Sequence, residues 1–128
     1  MAQNGSSRVG ACCISLLLII MLFCQAAFFT ETAAAATYTI EWAFGVTNWP
    51  NGKNFKAGDV IVFHYEQGEH EVAVVDANGY KTCTVPTGAK IYTSGNDRVT
   101  LQQGNNYFIC DIPQHCDQGG MKIAVTAA

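Results

Sequence analysis

The run Asn106-Tyr107-Phe108-Ile109-Cys110 leads into Asp111-Ile112-Pro113-Gln114-His115-Cys116-Asp117-Gln118-Gly119-Gly120, and Met121-Lys122-Ile123-Ala124-Val125-Thr126 follows. Both flanks read as short strands, rich in aromatic and β-branched residues. The middle is built of turn residues. Pro113 cannot extend the first strand, so the chain turns and brings His115 back beside Cys110. Gly119 and Gly120 permit a second tight turn before Met121. A strand, a loop and a strand therefore gather a thiolate, an imidazole and a thioether at one end of a sheet.

The same grammar extends outward. Tyr38 to Trp42 alternates weakly, and Trp49 to Lys53 is a turn. Phe55 leads to a second turn at Ala57-Gly58-Asp59. Val60 to Tyr65 is a strong strand, Glu71 to Val75 another, closed by a turn at Asp76-Ala77-Asn78-Gly79. Arg98 to Leu101 is a further strand. The stretch from Gly79 to Thr93 is ambiguous, with room for a short helical turn. Helical periodicity is sustained nowhere. Short strands at regular spacing predict an all-β domain, a Greek-key β-sandwich or barrel.

The 128 residues suit one domain. A polar start with one cation, Arg8, precedes an apolar run over Ala11 to Phe29 and then Ala33-Ala34-Ala35-Ala36. That anatomy predicts a secretory signal peptide over 1–36, cut after Ala36 give or take two residues. A retained membrane anchor is the rival, but the run is near the lower limit for a span and the Ala-x-Ala pattern favours cleavage. The folded domain is expected over 37–128. The end of the chain carries no lipid-anchor signal. Net charge is −3 with or without the leader, because Arg8 and Glu31 leave together. There is no basic patch, so nucleic acid is not an expected partner.

Six cysteines look like three disulfides until Cys12, Cys13 and Cys24 leave with the leader. Cys83, Cys110 and Cys116 remain. An odd thiol outside the cell is a liability unless it has a use, and metal ligation is one.

Cys110, His115 and Met121 need a second imidazole, and His70 at the start of a strand supplies it. Two imidazoles and a thiolate with a weak axial thioether form the blue-copper arrangement. Thiolate and thioether suit Cu(I), imidazole suits Cu(II), and zinc is the rival metal. The thioether and the higher affinity of Cu(II) favour copper. His64 lies mid-strand; with Ile61, Phe63 and Tyr65 facing the core, it faces solvent. Cys116 directly follows His115 and is expected to point into the domain, leaving Cys83 as its partner. A Cys83–Cys110 bridge is the competing pairing and would destroy the metal site. Cys110 with His115 resembles a catalytic thiol pair only in composition, since no third group orients the histidine. The expectation is therefore a protein that is not an enzyme.

These residues resemble the phytocyanins, plant extracellular cupredoxins, and within them the plantacyanin branch of basic blue and chemocyanin-like proteins. The similar stretches run from Trp49 to Val60, from Phe63 to Tyr65 and His70 to Val72, from Pro86 to Asp97, from Tyr107 to Cys116 and from Gly120 to Val125. The resemblance implies a cupredoxin fold with one copper near an exposed end. It places the ligands on His70, Cys110, His115 and Met121, and the disulfide on Cys83 and Cys116. It implies a secreted one-electron carrier of the apoplast or cell wall. The alternative is an extracellular signalling or cell-wall interaction protein in which copper is mainly structural. The partner implied is an unknown extracellular redox or signalling protein, and the chain is expected to be a monomer without a membrane anchor. Three departures stand out. The glycine-rich loop before Trp42 is shortened, one extra residue separates His115 from Met121, and the chain is acidic where the branch is basic. Glu66, Glu69 and Glu71 cluster in sequence around His70.

Overall fold

Alternation of apolar and polar residues decides most of the architecture of the computed structural model, which describes residues 33–128. The expected leader therefore lies, apart from its last four residues, outside the described residues. Residues Ala35–Ala128 form one compact unit. Seven strands occur in order: β1 (Thr37–Glu41), β2 (Val60–His64), β3 (Val72–Val75), β4 (Ile91–Tyr92), β5 (Asn96–Thr100), β6 (Gly104–Ile109) and β7 (Lys122–Ala127). One helix, α1 (Ala77–Thr82), follows β3, and a 3-10 turn covers Val46–Asn48.

The strands form two sheets, β1-β2-β5 and β4-β3-β6-β7. Every pairing is antiparallel except β1 with β2. A parallel pair cannot be joined by a tight turn. Residues 42–59 make the crossover, and this explains why residues 42–49 lie at the end where β1 stops. The chain then returns to the other end, where Ala57 N donates to Ala128 O at 2.9 Å and Gly58 N to Leu101 O at 2.9 Å.

The inner faces meet in one core. Ile40, Ile61, Phe63 and Val99 come from the first sheet, and Val72, Phe108, Ile123 and Val125 from the second. Phe63 bridges them, with ring centroids 5.1 Å from Trp42 and 5.1 Å from Phe108. The expected sandwich is thus observed. So is the outward direction of His64, whose Nδ1 lies 2.8 Å from Glu41 Oε2 across the β1–β2 register.

One local expectation is corrected, and two short elements are new. Asp76-Ala77-Asn78-Gly79 is not a turn but the start of α1: Asp76 is the N-cap, and its side chain accepts from Gly79 N at 2.7 Å. The short strand β4 and the 3-10 turn were not anticipated. Both are too brief for any periodicity to register.

Candidate metal centre

The β6–β7 register ends at Ile109↔Lys122, so Cys110 and Met121 are the next residues on either side of the loop. Cys110 N donates to Met121 O at 3.0 Å, which extends the ladder by one rung. Behind Pro113, His115 N donates to Ile112 O at 3.1 Å. Gln114 takes a left-handed backbone (φ 72°) and its carbonyl accepts from both Gln118 N and Gly119 N. Met121 N donates to His115 O at 3.0 Å. The backbone of Met121 therefore ties to both Cys110 and His115, and its side chain is fully buried.

His70 arrives from the other side. A tight turn, Glu69 N to Glu66 O at 3.1 Å, precedes it, and β3 begins two residues later. β3 pairs with β6 at Ala73↔Ile109, which sets residues 70–72 against Cys110. Trp42 Nε1 donates to Glu71 O at 2.8 Å and fixes this entry from the core.

The donors converge. His70 Nδ1 lies 3.1 Å from His115 Nδ1, and Cys110 Sγ lies 3.5 Å from His115 Nδ1. One ligand atom from each of the three residues lies within 4.8 Å of the others. Atoms so spaced can share one ion at ordinary metal–nitrogen and metal–sulfur lengths of about 2.0 and 2.3 Å. Cys110 is buried and is the free cysteine among the described residues. Burial pushes its thiol above the usual range, and N–H groups of Glu71 and Ile112 pull the other way. Burial, then the neighbouring His115, push the His70 imidazole down, while Glu69 raises it. A neutral imidazole is the form that offers a lone pair. The donor set of two imidazoles, one thiol and a nearby thioether fits copper, the softer of the two metals weighed from sequence.

Cys116 points inward as expected and bonds Cys83, with Cα atoms 5.7 Å apart. The bridge packs with Ala73, Val75 and Ile109 in a second small cluster. It anchors the loop to the C-cap of α1. The competing Cys83–Cys110 pairing is not formed.

Phe44 is a participant that sequence reading missed. Its ring stands edge-on to both imidazoles, with centroids 5.5 Å from His70 and 4.9 Å from His115. Gly45 N donates to Gly119 O at 2.7 Å, and Thr47 Oγ1 to Gly120 O at 3.0 Å, so the crossover is stapled to the ligand loop. No sequence signal marks Phe44, because its role depends on a long-range meeting of two loops. Among the described residues no helix is long and apolar enough to cross a membrane.

Comparison with known proteins agrees with this geometry. Residues 38–120 match the plastocyanin-like domain family. The chain is 47% identical to a chemocyanin of Lilium longiflorum, an alignment covering 100% of each chain. It is 48% identical to a basic blue protein of Arabidopsis thaliana over 98% of this chain and 96% of that one. Among solved structures, cucumber basic protein, a blue copper protein, superposes with a TM-score of 0.71 at 48% identity, covering 73% of this chain and 100% of that chain.

Proposed function

The chain belongs to the plastocyanin-like family of blue copper proteins, in its phytocyanin branch, and on that premise we propose that it is a secreted one-electron carrier. The convergence of His70, Cys110 and His115 around a buried free thiol carries this reading. Copper, when bound, supplies a Cu(I)/Cu(II) couple. His70, Cys110 and His115 would hold it, with the thioether of Met121 as a further, weaker donor.

The protein's own part is to change little between the two states. His115 is held on a loop braced by the Cys83–Cys116 bridge and by the bonds of Gly45 and Thr47. His70 is held by β3 and by Trp42 through Glu71. Donors that do not move on oxidation make electron transfer fast. The role proposed is carriage without catalysis, as in the blue copper proteins that the chain resembles. Secretion is supported by the apolar leader, which the alignment with the lily protein includes.

The test is a redox titration of the copper-loaded protein. One reversible electron with full recovery of colour is expected; loss of metal on each reduction would overturn the carrier reading. A second reading, extracellular signalling of the chemocyanin type, is favoured by the end-to-end likeness to the lily protein. It predicts that a Cys110→Ser protein keeps its biological effect, whereas a carrier loses it.

A further inference from the structure

Charge is distributed unevenly along the sandwich. Four stretches meet at the Cys110 end: residues 42–47, 65–71, 93–96 and 110–121. They hold Glu66, Glu69, Glu71, Asp111 and Asp117 and no lysine or arginine; the end of α1, which borders Asp111 and Asp117 through Thr82 and Cys83, adds Lys81 at the rim. Lys122, next along the chain, is turned onto the flank, where its Nζ donates to Tyr80 O at 3.1 Å and covers the Tyr80 ring. Lys53 is held on the side of the crossover, where its Nζ donates to Trp49 O at 2.7 Å and covers the Trp49 ring, and Lys56 precedes the turn that is bonded to the opposite end.

The middle of this end is apolar. Phe44 is 60% exposed, and it shares a surface hollow with Pro113, His115 and Gly119. Isolated exposed apolar residues need no explanation. Phe44 differs in its place, T-shaped to both imidazoles and against Gly119. A Cβ at Gly119 would meet Phe44 and would lie 2.6 Å from His115 O, so glycine is what lets the ring seat there. An aromatic side chain, with only two rotatable bonds, has a low ordering cost on making a contact.

We propose that this end is a docking surface for a cationic redox protein. Phe44 and Pro113 take its apolar contact, and Glu66, Glu69, Asp111 and Asp117 face its lysines or arginines. The proposal rests on the carrier reading. Carboxylates grouped around an electron exit raise the encounter rate with cations and do so less as salt screens them.

Ferrocytochrome c, whose haem edge is ringed by lysines, serves as the probe. It gives one electron to the oxidised protein: the haem iron goes from Fe(II) to Fe(III) and the copper from Cu(II) to Cu(I). The rate is expected to fall about tenfold between low and physiological ionic strength. Glu69→Gln/Asp117→Asn should lower the low-salt rate at least about threefold. Thr37→Lys/Thr100→Lys makes the same charge change at the opposite end and should do much less. Equal losses in the two doubles would mean that only net charge matters, which overturns the surface. Phe44→Leu should hold the rate and Phe44→Ser should lower it. An unchanged rate in the serine variant, or loss of the visible band in both, would overturn the apolar part. With both proteins reduced no electron can pass, and amide NMR should then shift residues 43–45, 66–70 and 114–119. Shifts confined to the outer face of the β1-β2-β5 sheet would sink the proposal and leave the carrier reading standing. If neither ferrocyanide nor hexaammineruthenium(II) reduces the protein, the carrier reading itself fails, and the NMR map still decides the surface.

Discussion

The Nδ1 atoms of His70 and His115 face each other at 3.1 Å. Two neutral imidazoles can meet this way only by sharing a proton or a cation, since two lone pairs repel. With Cys110 Sγ at 3.5 Å, a soft cation answers the need of all three. Copper(II) should therefore give an intense visible thiolate band. His70→Ala or Cys110→Ser should abolish it while far-UV circular dichroism stays unchanged. His64→Ala should keep the band, because His64 is exposed and paired with Glu41, and should change stability by less than about 1 kcal/mol. Colour in the Cys110→Ser protein would refute the ligand set.

Reduction of Cys83–Cys116 releases a loop with sequence separation 33. In the chain-entropy view this costs about 3–4 kcal/mol. Denaturant unfolding of the copper-loaded protein before and after reduction should show a loss of that order. The visible band should also broaden as the loop loosens. A midpoint that does not move would mean that the packing of Ala73, Val75 and Ile109 holds the loop without the bridge.

Much of this centre was legible because its chemistry is local. Cys110, His115 and Met121 lie in one loop whose Pro113 and glycine pair announce the turns, and His70 opens a clear strand. What escaped depends on distance or brevity. Asp76-Ala77-Asn78-Gly79 has the composition of a turn and of a helix start alike. Only the Asp76 cap and the anchoring of Cys83 decide for the helix. Phe44 gains its place from the parallel β1–β2 crossover, which no local pattern announces. Val62 is buried although its neighbours Ile61 and Phe63 face the core, because β2 is the central strand of its sheet.

Asp59 gives a stability signal with a definite sign. It is buried at the far end, and its carboxylate accepts from Ala36 N at 2.8 Å and Lys56 N at 2.9 Å. These backbone donors, Ala36 first, hold it below the ordinary value of 3.8. A carboxyl depressed on folding contributes fully above that ordinary value, and the contribution is lost as pH falls through the lowered one. Asp59→Asn should destabilise the protein near neutrality, because the amide turns an N–H toward one of the two donors. It should also flatten the fall in stability below about pH 4. A processed chain that keeps Ala36 keeps the first bond. One that begins at Thr37 should unfold at a higher pH in acid titration. An Asp59→Asn protein with unchanged acid unfolding would show that the carboxylate contributes nothing.

Five residues separate His115 from Met121, and the last two are glycines with separate duties. Gly119 leaves space for Phe44 and accepts from Gly45 N; Gly120 adopts φ 62° and accepts from Thr47 Oγ1. Left-handed backbone at residue 120 suits glycine, since a side chain would strain it. The turn closes with Met121 N on His115 O, so the loop delivers Met121 beside Cys110. Gln118, an alternative oxygen donor, is instead exposed and lines the hollow beside Phe44. Met121→Gln should therefore lower the reduction potential, because a thioether favours Cu(I) more than an amide oxygen does. It should also destabilise by about 1–3 kcal/mol, the cost of an amide at a buried position without assured partners. Deleting Gly120 shortens this loop by one residue and removes the acceptor for Thr47 and the left-handed step. It should weaken the fold and disturb the band. Voltammetry on the two variants separates the possibilities. A potential unmoved in Met121→Gln, together with a Gly120 deletion that keeps both colour and stability, would mean that Met121 is no ligand and that the glycine pair is only slack.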